Sequence, residues 1–271
     1  MSFLGAGIGY RKAHHDALLD PEIPHPRVLE IIPDHFFAHP EMLAPLAERY
    51  AIVFHDVGLS IGTAGDMPAD RIDRIAELAR IAKPVLFSDH LAITRSPSGI
   101  DLGHLAPIWL TREVLALVTE RVRRLQDALD VPVALENIAS PFTIPGGDFS
   151  EPELFAHLVG ATGCGLLLDL TNLSINARNA GQDAAALVDA YPIEAVMQVH
   201  LAGGFRDREG VWIDSHSEPV EDASYALLAG LSARTRRSLR AIVIERDEKL
   251  GTMTELLDEA RRAERIWKEP V

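Results

Sequence analysis

Six apolar segments of this chain run straight into a histidine or a carboxylate: VFH at His55, FSDH at His90, ALE at Glu136, LLLD at Asp169, MQVH at His200 and VIE at Glu245. A further motif, Ile213-Asp214-Ser215-His216, sets Asp214 and His216 two residues apart, so in extended chain both point the same way. Taken singly, each reads as a hydrogen-bonded rim residue or a helix N-cap. A run of six reads as a site. Four carboxylates meeting at one place repel one another unless cations sit among them, so the set predicts metal. The donors are nitrogen and oxygen only, which suits iron, manganese or zinc and excludes iron–sulfur and blue-copper chemistry. Four histidines and four carboxylates are too many for one ion, so two or three ions are expected, with at least one carboxylate bridging. The expected grouping is His55, His90 and Glu136 for one ion and Glu136, Asp169, His200 and Glu245 for the next. A third, weaker ion would use Asn172, Asp214 and His216. Glu136, Asp169 and His200 are the residues expected to carry catalysis.

The elements that must position these residues are short runs rich in Val, Ile and Leu, the mark of strands buried on both faces. There are eight: Leu4–Gly9, Val28–Ile32, Ala51–His55, Pro84–Ser88, Pro132–Glu136, Gly165–Asp169, Val196–His200 and Ala241–Glu245. Helical spacing appears between them, most clearly at Pro68–Ala82, Thr111–Leu129, Glu151–Ala161, Ala184–Ala190 and Met253–Trp267, with Thr111 a candidate N-cap. Alternating β and α units predict an α/β fold, a closed (β/α)8 TIM barrel forming a single domain over residues 1–271. The alternative, an open doubly wound sheet, calls for a glycine-rich phosphate loop that Gly5, Gly7 and Gly9 do not match. In such a barrel catalytic residues collect at the C-terminal ends of the strands, where these side chains lie. Long loops are expected there at Ser96–Pro107, Pro141–Ser150 and Gly203–Pro219.

Composition narrows the function. The chain has 271 residues, 40 acidic against 26 basic, a formal net charge of −14, and a single cysteine. The acidic balance argues against a nucleic-acid partner. One cysteine excludes a disulfide framework, and Cys164 at the start of a strand reads as packing. No apolar run is long enough to span a membrane and no signal peptide is evident, so the expected location is cytoplasmic. No nucleotide, flavin or haem motif is present. His35, Asn176, Arg178, Arg206 and Arg246 are expected to contact substrate, since arginines near the mouth could pair with a peptide carboxylate. Arg208 reads as solvated, and His14, His15, His25, His39, His104 and His157 as surface residues. Asp89 and Asp247 are candidates for orienting histidines.

The motifs HDVGLSIG (His55 to Gly62), SDH (Ser88 to His90), LEN (Leu135 to Asn137), LLLDLTN (Leu166 to Asn172), HLAGG (His200 to Gly204), IDSH (Ile213 to His216) and ERD (Glu245 to Asp247) resemble those of the DUF692 proteins. These are the multinuclear non-heme iron-dependent oxidative enzymes, and the resemblance runs from about Gly5 to Asp247. It implies a barrel with two or three irons and O2 as co-substrate. It also implies a ribosomally synthesised precursor peptide as substrate, modified most often at cysteine, and a partner protein that holds the peptide leader. Departures from the family pattern are Gly204 where HLAGH is usual, Asp89 where SEH is usual, and Ile32-Pro33-Asp34-His35-Phe36-Phe37 where an acidic–Asn pair is typical. They bear on the substrate more than on the metal core. The same ligand order also resembles endonuclease IV, a multi-zinc phosphodiesterase, although that family has His where this chain has Asn172. Two further readings are a divalent-metal sugar isomerase and a non-catalytic metal-dependent binding protein.

Overall fold

The computed structural model describes residues 2–269. Eight parallel strands close into a barrel in sequence order: β1 (Gly5–Gly9), β2 (Val28–Ile31), β3 (Ala51–Asp56), β4 (Phe87–His90), β5 (Val133–Glu136), β6 (Gly165–Asp169), β7 (Val196–Leu201) and β8 (Ala241–Ile244), with β1 pairing β8. Each strand expected from the sequence is present. The fourth begins later than its apolar run, past Pro84, and carries through His90.

Helices cover the outside. Ala69–Ala82, Arg112–Leu129, Glu151–Thr162, Ala184–Ala190 and Met253–Lys268 lie where the periodicity places them. Thr111 caps its helix, accepting from the Val114 amide at 3.4 Å. Leu170–Ala180 and Asp222–Leu231 are helices that the periodicity does not single out. The loop expected at Ser96–Pro107 holds one arm of a β-hairpin, Asp101–Ala106, which pairs with Ile93–Arg95 just before it, and the loop expected at Gly203–Pro219 holds both arms of another, Phe205–Arg206 and Trp212–Ile213. Among the described residues no helix is long and apolar enough to cross a membrane.

The barrel interior explains why the ligand types converge. Val28, Val53, Leu86, Ala134, Leu167, Ala241 and Val243, all from or beside barrel strands, form a small cluster separate from the main core. Side chains along a strand alternate between faces. Two residues beyond Val28, Val53, Ala134, Leu167 and Val243, the same inward face therefore presents Glu30, His55, Glu136, Asp169 and Glu245. The apolar cluster plugs the lower barrel, and the next layer is polar.

Candidate metal centre

Glu136 sits at the middle of this polar layer. Its Oε2 lies 3.4 Å from His55 Nε2 and 3.3 Å from His90 Nε2. Its Oε1 lies 3.3 Å from His200 Nδ1, which is also 2.9 Å from Glu245 Oε2. One carboxylate thus turns each of its oxygens toward a different set of donors. Ligand-capable atoms of His55, His90 and Glu136 lie within 4.8 Å of one another, as do those of Glu136, Asp169, His200 and Glu245. These are the two groups expected from the sequence. A third cluster, Glu30 with His55 and His200, is not among those expectations.

The histidines are held by neighbours. His55 Nδ1 lies 3.0 Å from Ser88 Oγ, whose hydroxyl donates to the Phe54 carbonyl; Ser88 then accepts from Nδ1 and leaves Nε2 free toward Glu136. His200 Nε2 lies 2.8 Å from Glu30 Oε2, so Glu30 accepts the Nε2 proton and Nδ1 faces Glu136 and Glu245. Gln198 donates to the same Glu30 oxygen. Glu30 is 2% exposed in the middle of β2. The signal that could have found it is a lone carboxylate inside an apolar parallel strand, VLEI, which nothing but a polar partner explains.

Asp169 does both things a strand-end carboxylate can do. Its Oδ1 caps helix Leu170–Ala180 by accepting from the Asn172 amide at 2.7 Å, while Oδ2 is buried with no partner. Asn137 exchanges hydrogen bonds with the Asp169 backbone at 2.9 and 3.0 Å and so locks the ends of β5 and β6 together. Asn172 donates to the Asn137 carbonyl and leaves its Oδ1 buried and free. Asp214 Oδ1 and His216 Nε2 approach to 2.9 Å in the loop after β7, both without a hydrogen bond. Of the thirteen buried polar side-chain atoms without a partner among the described residues, six are donor atoms of Glu136, Asp169, Asn172, His200, Asp214 and His216. An unsatisfied buried polar atom costs about 1–3 kcal/mol. Their concentration here, on nitrogen and oxygen donors, fits bound cations.

The electrostatics set what a cation would compete with. Burial pushes Asp169 well above the usual carboxylate range, and Glu136 beside it adds to the shift. Burial alone would lower His200, but Glu245, Glu30 and Glu136 hold it well above the ordinary imidazole value. His216 is raised too: burial opposes, and the nearby carboxylates of Glu245, Asp214 and Asp247 prevail. Burial drives His90 down to about 4. Burial works to raise Glu136 and Glu245, yet the surrounding histidines keep both below the usual range. Protons would compete with a cation for Asp169, His200 and His216, so the affinity of such a centre for metal would rise with pH. These three raised groups favour the metal-free fold at low pH, and that contribution fades as pH climbs through their folded values. The depressed Glu136 and Glu245 lose theirs only in more acid solution. Calorimetry should therefore show the melting-temperature gap between metal-loaded and metal-free protein widening from about pH 5 to about pH 8. A gap that stays constant would contradict this assignment.

The remaining site expectations resolve differently. A cavity of about 570 Å³ opens between the two hairpins onto His55, His90, His216 and Glu245. Arg246 does not face it. Its guanidinium pairs with Glu259 at 3.0 Å on helix Met253–Lys268, because the strand alternation that turns Glu245 inward turns Arg246 out. Asn176 spends both ends of its amide on the backbone of Ser140 and Ile138, at 2.9 Å each, fixing the loop after β5. Arg178 pairs with Glu221 at 2.6 Å and stacks 4.2 Å over Trp212, so it supports a cavity wall from behind. Arg206 donates to the Gly210 carbonyl and closes its own hairpin, exposed. His35 stays exposed at the rim, its ring 6.0 Å from Tyr10. His14, expected at the surface, is buried with Nε2 toward the Gly251 carbonyl, and exposed His104 lines the cavity.

Barrels of this shape recur among solved structures. D-psicose 3-epimerase from Clostridium cellulolyticum superposes with a TM-score of 0.59 at 11% identity, covering 97% of this chain and 98% of that one. Endonuclease IV from Thermus thermophilus gives 0.57 at 17%, covering 97% and 98%. At these identities the likeness is one of fold. Sequence relatives go further. The UPF0276 protein of Caulobacter vibrioides is 35% identical over 269 residues, 98% of this chain and 95% of its own length. That of Chromobacterium violaceum is 34% identical over 263 residues, 96% and 94%. The family model described as RiPP precursor modification enzyme MbnB/TglH/ChrH matches residues 5–268. The chain is therefore a TIM-barrel protein of the MbnB/TglH/ChrH family, whose members modify the precursors of ribosomally synthesised peptides.

Proposed function

We propose that the protein is a multinuclear, iron- and O2-dependent oxidative enzyme that modifies a residue of a precursor peptide, with cysteine the first expectation. The observation that carries this reading is Glu136 with its two oxygens turned to two donor groups of histidine and carboxylate. His55 and His90 would hold one ion with Glu136; Asp169, His200 and Glu245 would hold the other with it; Asn172, Asp214 and His216 would take a third. Iron in such ligands supplies electron-transfer chemistry with O2 without a porphyrin. The protein's part is to seat the peptide, orient the donors and exclude water. Cys164 is buried away from the mouth with its thiol pushed up by burial, so a thiolate reaching the centre would come from substrate. The mouth suits a polypeptide. Among the described residues every exposed large apolar side chain but Ile81 belongs to a loop or hairpin following a barrel strand, with Ile100, Phe142 and Trp109 the most exposed. Such an apolar rim around a polar floor marks an interaction surface. A leader-binding partner protein and a cytoplasmic location complete the reading.

The test is anaerobic reconstitution with iron(II), followed by O2 and a cysteine-containing precursor peptide from a neighbouring short reading frame, with its partner protein. A mass shift requiring iron, O2 and the peptide's cysteine is expected. Equal turnover with zinc under anaerobic conditions would mean hydrolysis. Cleavage of abasic DNA would move the assignment to the endonuclease-like reading, which the net charge of −14 and Asn172 already disfavour.

A further inference from the structure

We propose that Arg11 and Asp247 form a brace that seats His216 over the barrel mouth and fixes which of its nitrogens faces Asp214, making them positioning residues for the third ion. The inference rests on the proposed third site.

The loop after β7 must return over the mouth to bring Asp214 and His216 to the barrel, and two glycines allow it to lie close. A Cβ on Gly203 would fall 2.1 Å from the Glu218 carbonyl oxygen, and one on Gly204 would fall 2.5 Å from that of Ile213. His216 then adopts φ +48°, in the left-handed region that residues other than glycine rarely enter. Such a conformation persists only where its surroundings over-determine it. Here they do. The Asp247 amide donates to the His216 carbonyl at 2.9 Å, and Asp247 Oδ2 lies 3.2 Å from His216 Nδ1. The second Asp247 oxygen takes the Arg11 guanidinium, whose Nη1 donates to the Tyr10 carbonyl at 2.8 Å. Gly9, the last residue of β1, leaves room for this: a Cβ there would sit 2.9 Å from Arg11 Nη1. Residues following β1, β7 and β8 thus meet on one imidazole.

The chemical consequence is the tautomer. Asp247 accepts the Nδ1 proton, so the Nε2 lone pair is left for a cation beside Asp214 Oδ1, 2.9 Å away. Glu30 does the same for His200 from the opposite nitrogen. The difference is that Glu30 is sealed in the barrel while the Asp247 side chain is half exposed, so this support depends on Arg11 holding it.

The experiment counts metal. Wild type, D247A, D247N and R11M are reconstituted anaerobically with iron(II), desalted and assayed by mass spectrometry for iron per folded chain, with circular dichroism confirming the fold. Three ions are expected in wild type. D247A and R11M should keep the two ions of the Glu136 groups and bind the third about ten- to a hundredfold more weakly, with D247N closer to wild type. Three ions held as tightly in D247A and R11M as in wild type would overturn the brace, as would loss of all ions together in folded variants. If wild type holds only two, the third-site reading fails first and takes the brace with it. A purely structural Arg11–Asp247 pair would lower the melting temperature and leave the iron count unchanged, which would also overturn it.

Discussion

Replacing Glu136 with alanine is expected to empty two ion sites at once. Each Glu136 oxygen faces a different donor group, at 3.3 to 3.4 Å from His55 and His90 on one side and 3.3 Å from His200 on the other. Without it the first group is reduced to the imidazoles of His55 and His90, and burial has already pushed His90 down to about 4. The second group keeps Asp169, His200 and Glu245, yet loses the negative charge between the ions. Two divalent cations about 4 Å apart would repel by roughly 17 kcal/mol at an effective dielectric near 20, so the intervening carboxylate decides whether both can bind. The metal-free fold should survive: removing one of several crowded carboxylates relieves Asp169, which burial and then Glu136 push above the usual carboxylate range. Iron analysis after desalting should therefore show both ions lost from a folded chain. E136Q, which keeps the shape and one acceptor but not the charge, should fall between. One site retained at full occupancy in E136A would rule out the bridge.

How much of this is legible in the sequence follows from where each residue sits. Strands buried on both faces are continuous apolar runs, so all eight can be seen, and a ligand that ends such a run is conspicuous against it. Glu30 escapes because it lies inside its strand rather than at the end. Helix Leu170–Ala180 escapes because its sequence, LTNLSINARNA, is buried on several sides and shows no single apolar stripe. The hairpins inside the long loops are too short to carry a pattern of their own, and Gly103 enters the left-handed region within one of them. Chain position puts the arginines near the mouth, but it is silent on partners. Arg178 and Arg246 are held by Glu221 and Glu259 from elsewhere in the chain, contacts that only the closed barrel creates.

Glu30→Ala is expected to weaken one ion selectively, and the reason is the tautomer of His200. A neutral imidazole has one protonated nitrogen, and only the other can ligate. Glu30 Oε2, 2.8 Å from Nε2, takes that proton and turns the Nδ1 lone pair toward Glu245 and Glu136. Without Glu30, His200 is free to place its proton on Nδ1 and bond to a carboxylate that should be ligating metal. Buried carboxylates that support a ligating histidine in this way are worth about ten- to a hundredfold in metal affinity. The ion on Glu136, Asp169, His200 and Glu245 should therefore bind that much more weakly in E30A, while the ion on His55 and His90 changes little, since Ser88 supports His55 at Nδ1. E30Q preserves an acceptor for Nε2 and should recover much of the loss. Because Glu30 also clusters with His55 and His200 at ligand distance, a direct ligand is the competing role. The two separate in titration. An orienting Glu30 gives an unchanged ion count at saturating iron with a weaker constant for one site, whereas a ligating Glu30 gives a missing ion in E30A and E30Q alike.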